Sequence, residues 1–254
     1  MALSFFLRLL LGHMIGDFLL QPYWLVLAKR KGWVGLLVHV GMVTFITAML
    51  LWGSIPNWWV WAVVLYIGHL FIDQFRTFIF VDNTKGKGII LLFLDQLAHI
   101  VLIAALAWLA TGWTFSDLNP LITTDIADQP RMMAYLIGLA FLISVVPVLE
   151  AEITVAVWAM SGTEVTHTVK IDTSDRLLGA IERITAIFLI VVGYGLLAPL
   201  VFLPRFGLMI YQGELKNNRA ATITKTVTSL VSALLVGSIL SQIPVPMAFV
   251  EGLL

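Results

Sequence analysis

Apolar runs of about 20 residues recur along this chain between short polar turns, a spacing that predicts helices able to cross a bilayer. The first run extends from Leu3 to Leu27 and stops at Ala28, before the basic cluster Lys29, Arg30 and Lys31. The second covers Val34 to Trp52 and ends at the turn Gly53-Ser54-Ile55-Pro56-Asn57. The third covers Trp58 to Phe80, a polar turn from Asp82 to Gly88 follows, and the fourth covers Ile89 to Ala110. The loop from Thr111 to Pro130 contains Asp117, Asp125 and Asp128 and no basic residue.

The second half is less regular. Met132 to Met160 is apolar but interrupted by Pro147, Glu150 and Glu152, and reads either as one tilted helix or as a helix broken at Pro147. A polar segment, Ser161 to Arg176, precedes a run from Leu177 to Phe202. A loop from Pro204 to Arg219 and a last helix from Ala220 to Leu240 complete the pattern. The expectation is an all-α polytopic transmembrane helical bundle of about seven spans, within a range of about six to eight. It divides into a four-helix domain over 5–111 and a C-terminal region of about three helices over 131–254.

Composition agrees. The chain is 60% hydrophobic and 12% charged, with a mean hydropathy of +0.97, whereas a soluble domain carries about 25% charged residues. The first run carries His13, Asp17 and Gln21 and has no small-residue cleavage motif, so it is expected to be a retained helix and not a signal peptide. There is no cysteine, which excludes disulfides, thiolate metal sites and iron–sulfur clusters. The net charge is zero and gives no electrostatic footprint for nucleic acid.

Lys and Arg favour the cytoplasmic side of a membrane. The basic clusters Lys29–Lys31 and Lys85–Lys87 therefore face the cytoplasm and the acidic Thr111–Pro130 loop faces outward, as in a bacterial inner-membrane protein with its N-terminus outside. Trp24, Trp33, Trp52, Trp58 and Trp59 at the segment ends fit an interfacial aromatic belt. One feature conflicts with this scheme: simple counting puts the basic Pro204–Arg219 segment outside.

The candidate chemistry lies in the first four runs. His13 and Asp17, His69 and Asp73, and Asp95 and His99 are each four residues apart, so each pair projects from one helix face. His39 stands alone on the second run at a comparable depth. An ionisable group at mid-membrane costs at least about 2.5–3.5 kcal/mol on insertion scales, and seven in one layer call for a function. Imidazole and carboxylate together suit zinc, manganese, iron or nickel. The expected ligand set of a divalent metal is thus His13, Asp17, His39, His69, Asp73, Asp95 and His99, more than one ion needs. Either two ions bind or some aspartates orient the imidazoles. Gln21, Gln74 and Gln96 can add hydrogen bonds, and Gly12, Gly16 and Gly68 permit close helix approach. The competing readings are a proton or ion relay, structural His–Asp pairing between helices, and di-histidine haem ligation, which the neighbouring aspartates disfavour.

Elsewhere, His167 falls in a polar loop and reads as a solvated side chain. Arg176, Glu182 and Arg183 read as interfacial arginines with a local ion pair, or as an arginine reaching an anionic headgroup or a partner glutamate, Glu150 or Glu152. The Thr/Ser content of Thr222–Ser232 reads as helix packing. A short internal repeat relates Gly12-His13-Met14-Ile15-Gly16-Asp17 to Gly68-His69-Leu70-Phe71-Ile72-Asp73 and suggests two parallel helix pairs.

The stretch Gly12-His13-Met14-Ile15-Gly16-Asp17-Phe18-Leu19-Leu20-Gln21 resembles the opening signature of a family of membrane proteins, domain of unknown function 3307. His39, Gly68-His69 with Asp73, and Asp95-Gln96 with His99 are similar to its N-terminal domain, over roughly residues 5 to 115. Gly179–Arg183 resembles a C-terminal segment of longer members. The resemblance implies no established activity. A looser similarity, in architecture and intramembrane His/Asp content, connects the chain to bacterial membrane-bound metal-dependent hydrolases, although it lacks their Asp-x-Asp-His type of cluster. The expected function is a metal-dependent hydrolase acting on a membrane-associated, lipid-linked substrate, with Asp17 as general base. The alternatives are a metal-ion or proton transporter and a structural subunit, with a homo-oligomer or a membrane complex as the setting.

Overall fold

The structure is a computed structural model that describes residues 1–79, 88–123, 128–160, 173–211 and 219–246. Among these residues every regular element is helical. Chain contacts define two units, one of residues 1–81, 91–140 and 243–254, the other of 82–90 and 141–242.

In the first unit, α1 (Ala2–Met14) continues as a π-helical turn, Ile15–Leu19. The apolar run does not reach Ala28 as one helix. It breaks at Gln21-Pro22, where proline lacks an N–H and constrains the residue before it, and α2 (Tyr23–Lys31) starts afresh. Helices α3 (Trp33–Leu51), α4 (Trp58–Gln74, with a π-helical turn Phe75–Ile79) and α5 (Gly88–Thr111) lie where the apolar runs place them. The expected loop after α5 contains a 3-10 segment, Phe115–Ile122, and α6 (Asp128–Ala140) follows. Lys85, Lys87 and Asp125 lie outside the described residues.

Helix α1 is the most enclosed of the long helices and packs against α3 and α6. Its Gly12 and Gly16 make the close approach possible. A Cβ on Gly12 would sit 2.7 Å from Thr47 Cα, and one on Gly16 would sit 2.6 Å from Val43 Cα. Backbone cannot yield as a flexible side chain can, so Gly16→Ala should destabilise the protein by about 1–3 kcal/mol. Unfolding in detergent measures this, and a variant as stable as the wild type would refute the tight α1–α3 contact.

In the second unit, α7 (Val146–Met160) follows a π-helical turn, Phe141–Val145. The helix from Asp128 to Met160 is therefore continuous through Pro147. The π-helical turn just before Pro147 relaxes the ladder where that residue supplies no N–H. Helix α8 (Thr173–Val191) ends where Gly193 adopts φ +92°, so the expected span Leu177–Phe202 is not one helix. A 3-10 segment, Gly195–Phe202, and α9 (Leu203–Tyr211) come next, the latter occupying part of the expected Pro204–Arg219 loop. They run back along α8, because Arg205 returns to Glu182 and Met209 lies beside Thr226 of α10 (Arg219–Leu240). The small residues Ala186, Ala198 and Ala233 let these segments meet around Phe202.

Helices α8 and α10 are parallel: Asp175 pairs with Lys225, Arg183 with Ser229, and Ile190 lies against Gly237. Arg219 therefore starts α10 on the side from which α8 starts. The return segment removes the conflict between the basic charges of Pro204–Arg219 and the positive-inside rule. His167 and Lys216 lie outside the described residues.

By length and composition, six described helical stretches can cross a bilayer: Ala2–Leu19, Trp33–Leu51, Trp58–Phe78, Gly88–Thr111, Asp128–Met160 and Thr222–Leu240. That count lies at the lower end of the expected range. Large apolar side chains such as Phe45, Ile67, Phe93 and Val101 are exposed on these helices. Continuous apolar faces of this kind suit lipid and not water, and the chain is a helical membrane protein.

Candidate metal centre

The first unit brings four imidazoles together from four helices. His13 comes from α1, His39 from α3, His69 from α4 and His99 from α5, and all four are buried. Ring centroids lie 4.9 Å apart for His13 and His99, 4.3 Å for His69 and His99, and 5.6 Å for His39 and His69. Asp17 and Asp73 are buried among them. Asp95 is at the margin, with its side chain 12% exposed.

Asp73 occupies the middle of the group. Its Oδ2 lies 3.1 Å from His39 Nε2 and 3.6 Å from His69 Nε2, and its Oδ1 lies 3.7 Å from His99 Nε2. Asp17 Oδ1 lies 3.0 Å from the same His39 Nε2. Asp17 falls within the π-helical turn that ends α1, where the chain is wound more loosely than in an α-helix. Its short approach is to His39 on the neighbouring helix, an outcome that spacing four from His13 does not foretell.

One ring nitrogen each of His13, His39 and His99 is held by a hydrogen bond, whereas neither nitrogen of His69 is. His99 Nδ1 donates to the Asp95 backbone carbonyl at 2.9 Å. The amide of Gln21 satisfies its neighbours when its oxygen accepts from His39 Nδ1 at 3.0 Å and from Lys29 Nζ at 3.2 Å while its nitrogen donates to the Asp17 carbonyl at 2.9 Å. Gln96 donates to Asp17 Oδ2 and Asp95 Oδ2, each at 3.2 Å, so its Oε1 accepts from His13 Nε2 at 3.2 Å.

His39 and His99 therefore turn their Nε2 atoms toward carboxylate oxygens. Such an approach is favourable when a cation lies between the two atoms, either a proton on the ring nitrogen or a metal ion. Among the buried atoms without a hydrogen-bond partner are His39 Nε2, both ring nitrogens of His69, His99 Nε2, Asp17 Oδ1 and Asp73 Oδ2. The short nitrogen–oxygen approaches lack hydrogen-bond alignment. Two triplets, Asp17–His39–His69 and His69–Asp73–His99, each offer ligand atoms within 4.8 Å of one another. The donor set and its outer hydrogen bonds fit a divalent ion held by imidazole and carboxylate. His13 and Asp95 fall outside both triplets, bound instead to Gln96.

Residues 5–125 match the family DUF3307, a protein of unknown function. The N-terminal segment belongs to that family, and all seven His and Asp residues lie inside the matched region. No curated protein and no solved structure matches the chain.

Lys29 is the participant that sequence reasoning missed, read there only as part of the cytoplasmic basic cluster Lys29, Arg30 and Lys31. Leu25 and Lys29 lie four apart on the inner face of α2. Leu25 is buried, and the ammonium lies 3.9 Å from Asp73 Oδ2. The signal was Pro22: once the helix is restarted there, Leu25–Lys29 becomes an inward stripe.

Proposed function

We propose that this is an inner-membrane protein of bacterial type that holds a divalent metal ion, zinc, manganese or iron, between α1, α3, α4 and α5. We further propose that it is a metal-dependent hydrolase acting on a membrane-associated, lipid-linked substrate. The observation that carries the metal is the convergence of buried imidazole and carboxylate atoms in two triplets that share His69, with His39 Nε2 and His99 Nε2 turned toward the carboxylates of Asp17 and Asp73. Two buried aspartates, with a third at their margin, are otherwise costly, and a cation offsets their charge.

His39, His69, His99 and Asp73 would hold the ion, with Asp17 joining them if the Asp17–His39–His69 triplet is also filled. When bound, such an ion polarises a phosphoryl or acyl oxygen and lowers the pKa of water. An aspartate that does not bind metal then serves as base. This is Asp17 if only the His69–Asp73–His99 triplet is filled, and Asp95 if Asp17 is a ligand. Lys29 and Gln21 lie beside the cluster, against Asp73 and His39. The rest of α1 and α5 is packed with Leu3, Phe5, Leu9, Ile103 and Leu106. That dry half favours a hydrolase reached from one side over a transporter with a path through the membrane.

The test is a hydrolysis assay with a panel of lipid phosphates and lipid esters in mixed micelles. Activity should disappear with chelator and return with one divalent metal. Metal-loaded protein inert toward the whole panel, yet passing metal ions across liposomes, would replace the hydrolase with the transporter.

The orientation of this protein is likewise a proposal, supported by Lys29, Arg30 and Lys31. A cysteine placed at position 30 in this cysteine-free chain should be labelled from the cytoplasmic side. Labelling from outside only would invert the scheme.

A further inference from the structure

The second unit contains a buried polar cluster independent of the metal centre. Arg183 of α8 is fully buried and does not snorkel to the interface. Nor does it pair with its neighbour Glu182. Its Nη1 donates to Glu150 Oε1 of α7 at 3.1 Å and to Ser229 Oγ of α10 at 2.7 Å. Glu182 accepts from Arg205 Nη1 at 3.3 Å, and Arg205 is itself buried. Consecutive residues on α8 thus reach different partners.

What these bonds leave over is specific. Arg183 Nε and Nη2 are buried without a hydrogen-bond partner, and so is Arg205 Nε. The Nε and Nη2 hydrogens leave the same edge of a guanidinium and form the fork that takes two oxygens of one oxyanion. In Arg183 that entire edge is unsatisfied, while Glu150 and Ser229 are confined to the other nitrogen. Structural pairing alone accounts for Nη1 and not for the fork.

The two guanidiniums also converge. Their Nη1 ends, which are bonded to Glu150, Ser229 and Glu182, meet at Gly179, where a Cβ would lie 3.0 Å from each. Arg176, one turn before Gly179 on the same α8 face, adds a third positive charge. Glu150 and Glu182 offset two of the three charges. Of the other charged groups here, Asp175 is paired with Lys225 and the Glu152 carboxylate lies against Gly88.

We propose that Arg183 and Arg205 form an oxyanion site that takes a phosphate group, Arg183 by its Nε–Nη2 fork and Arg205 by Nε. The phosphate comes either from an anionic lipid headgroup or from a soluble phosphate. Full-length protein kept with chelator, so that no phosphate is taken up through metal in the first unit, is the material for the test. One arm titrates inorganic phosphate against chloride at constant ionic strength and follows thermal stability in detergent. The other compares nanodiscs of phosphatidylcholine alone with nanodiscs containing phosphatidate.

Saturable stabilisation in the first arm identifies a soluble phosphate, and in the second only, a lipid headgroup. Arg183→Lys keeps the charge that faces Glu150 and removes the fork. It should weaken whichever binding is seen by roughly tenfold or more, with a smaller loss for Arg205→Lys. If Arg183→Lys does not fold, Arg205→Lys carries the comparison. No saturable stabilisation in either arm, or undiminished binding in the folded lysine variants, would overturn the site.

Discussion

Protein purified without chelators is expected to carry a stoichiometric divalent metal, and His69→Ala to lose it. His69 is common to both ligand triplets, so its removal leaves neither complete. A milder variant tests the geometry more closely. Gln21→Leu touches no proposed ligand but removes the acceptor that holds His39 Nδ1–H. The imidazole is then free to turn or change tautomer, and metal affinity should fall roughly 10–100-fold, as it does when such outer partners are lost elsewhere. If the cluster were only a joint between helices, His69→Ala should instead cost on the order of 0.6–2 kcal/mol of stability, with no metal to lose. Metal content by elemental analysis and competition against a chromogenic chelator decide the matter. Wild-type protein that stays metal-free after zinc, manganese and iron are each supplied would sink the metal reading.

The helices that carry the His/Asp cluster were legible in the sequence because their signal is local. Each apolar run is bounded by its own turn, and spacing four places a histidine and an aspartate on one face. How the pairs meet was not legible. Asp17 sits in a π-helical turn and Asp73 at the centre of three imidazoles, and both depend on how the helices lean on one another. The internal repeat has a physical counterpart. Gly12 seats α1 against Thr47 of α3, and Gly68 seats α4 against Leu102 of α5. The offset that takes His13 to His69 and Asp17 to Asp73 takes His39 to Asp95, so the second pair has a carboxylate where the first has an imidazole. The constellation is accordingly lopsided, with His39 between two carboxylates and Asp95 at the margin.

The second half was harder to read because its devices are non-local. The charges of Arg183 and Glu182 suggested an interfacial helix or a partner glutamate, Glu150 or Glu152; Arg183 does reach Glu150, but nothing nearby in sequence reveals Ser229 or Arg205. The return of the chain at Gly193 depends on one positive φ and on alanines that admit a 3-10 segment between helices. The unexplained basic charges of Pro204–Arg219 were the trace it left in the sequence.

Removing Arg183 alone should be among the most damaging single changes. Arg183→Ala strands the Glu150 carboxylate, which then keeps only Ser229 Oγ, at 2.6 Å. Breaking a buried ion pair from one side costs about 3–5 kcal/mol. Replacing both partners by apolar groups of similar volume, Glu150→Met with Arg183→Met, removes the stranded charge as well. Such exchanges are often neutral or stabilising by about 1–4 kcal/mol. The double variant should therefore recover most of the stability that the single variant loses, measured by unfolding in detergent. If it does, the fold does not require the pair, and its presence in an apolar environment needs another reason; an oxyanion on the free edge of Arg183 supplies one. If the double variant is as unstable as Arg183→Ala, the pair is a structural joint between α7, α8 and α10. The unpartnered fork would then be the only remaining sign of a ligand.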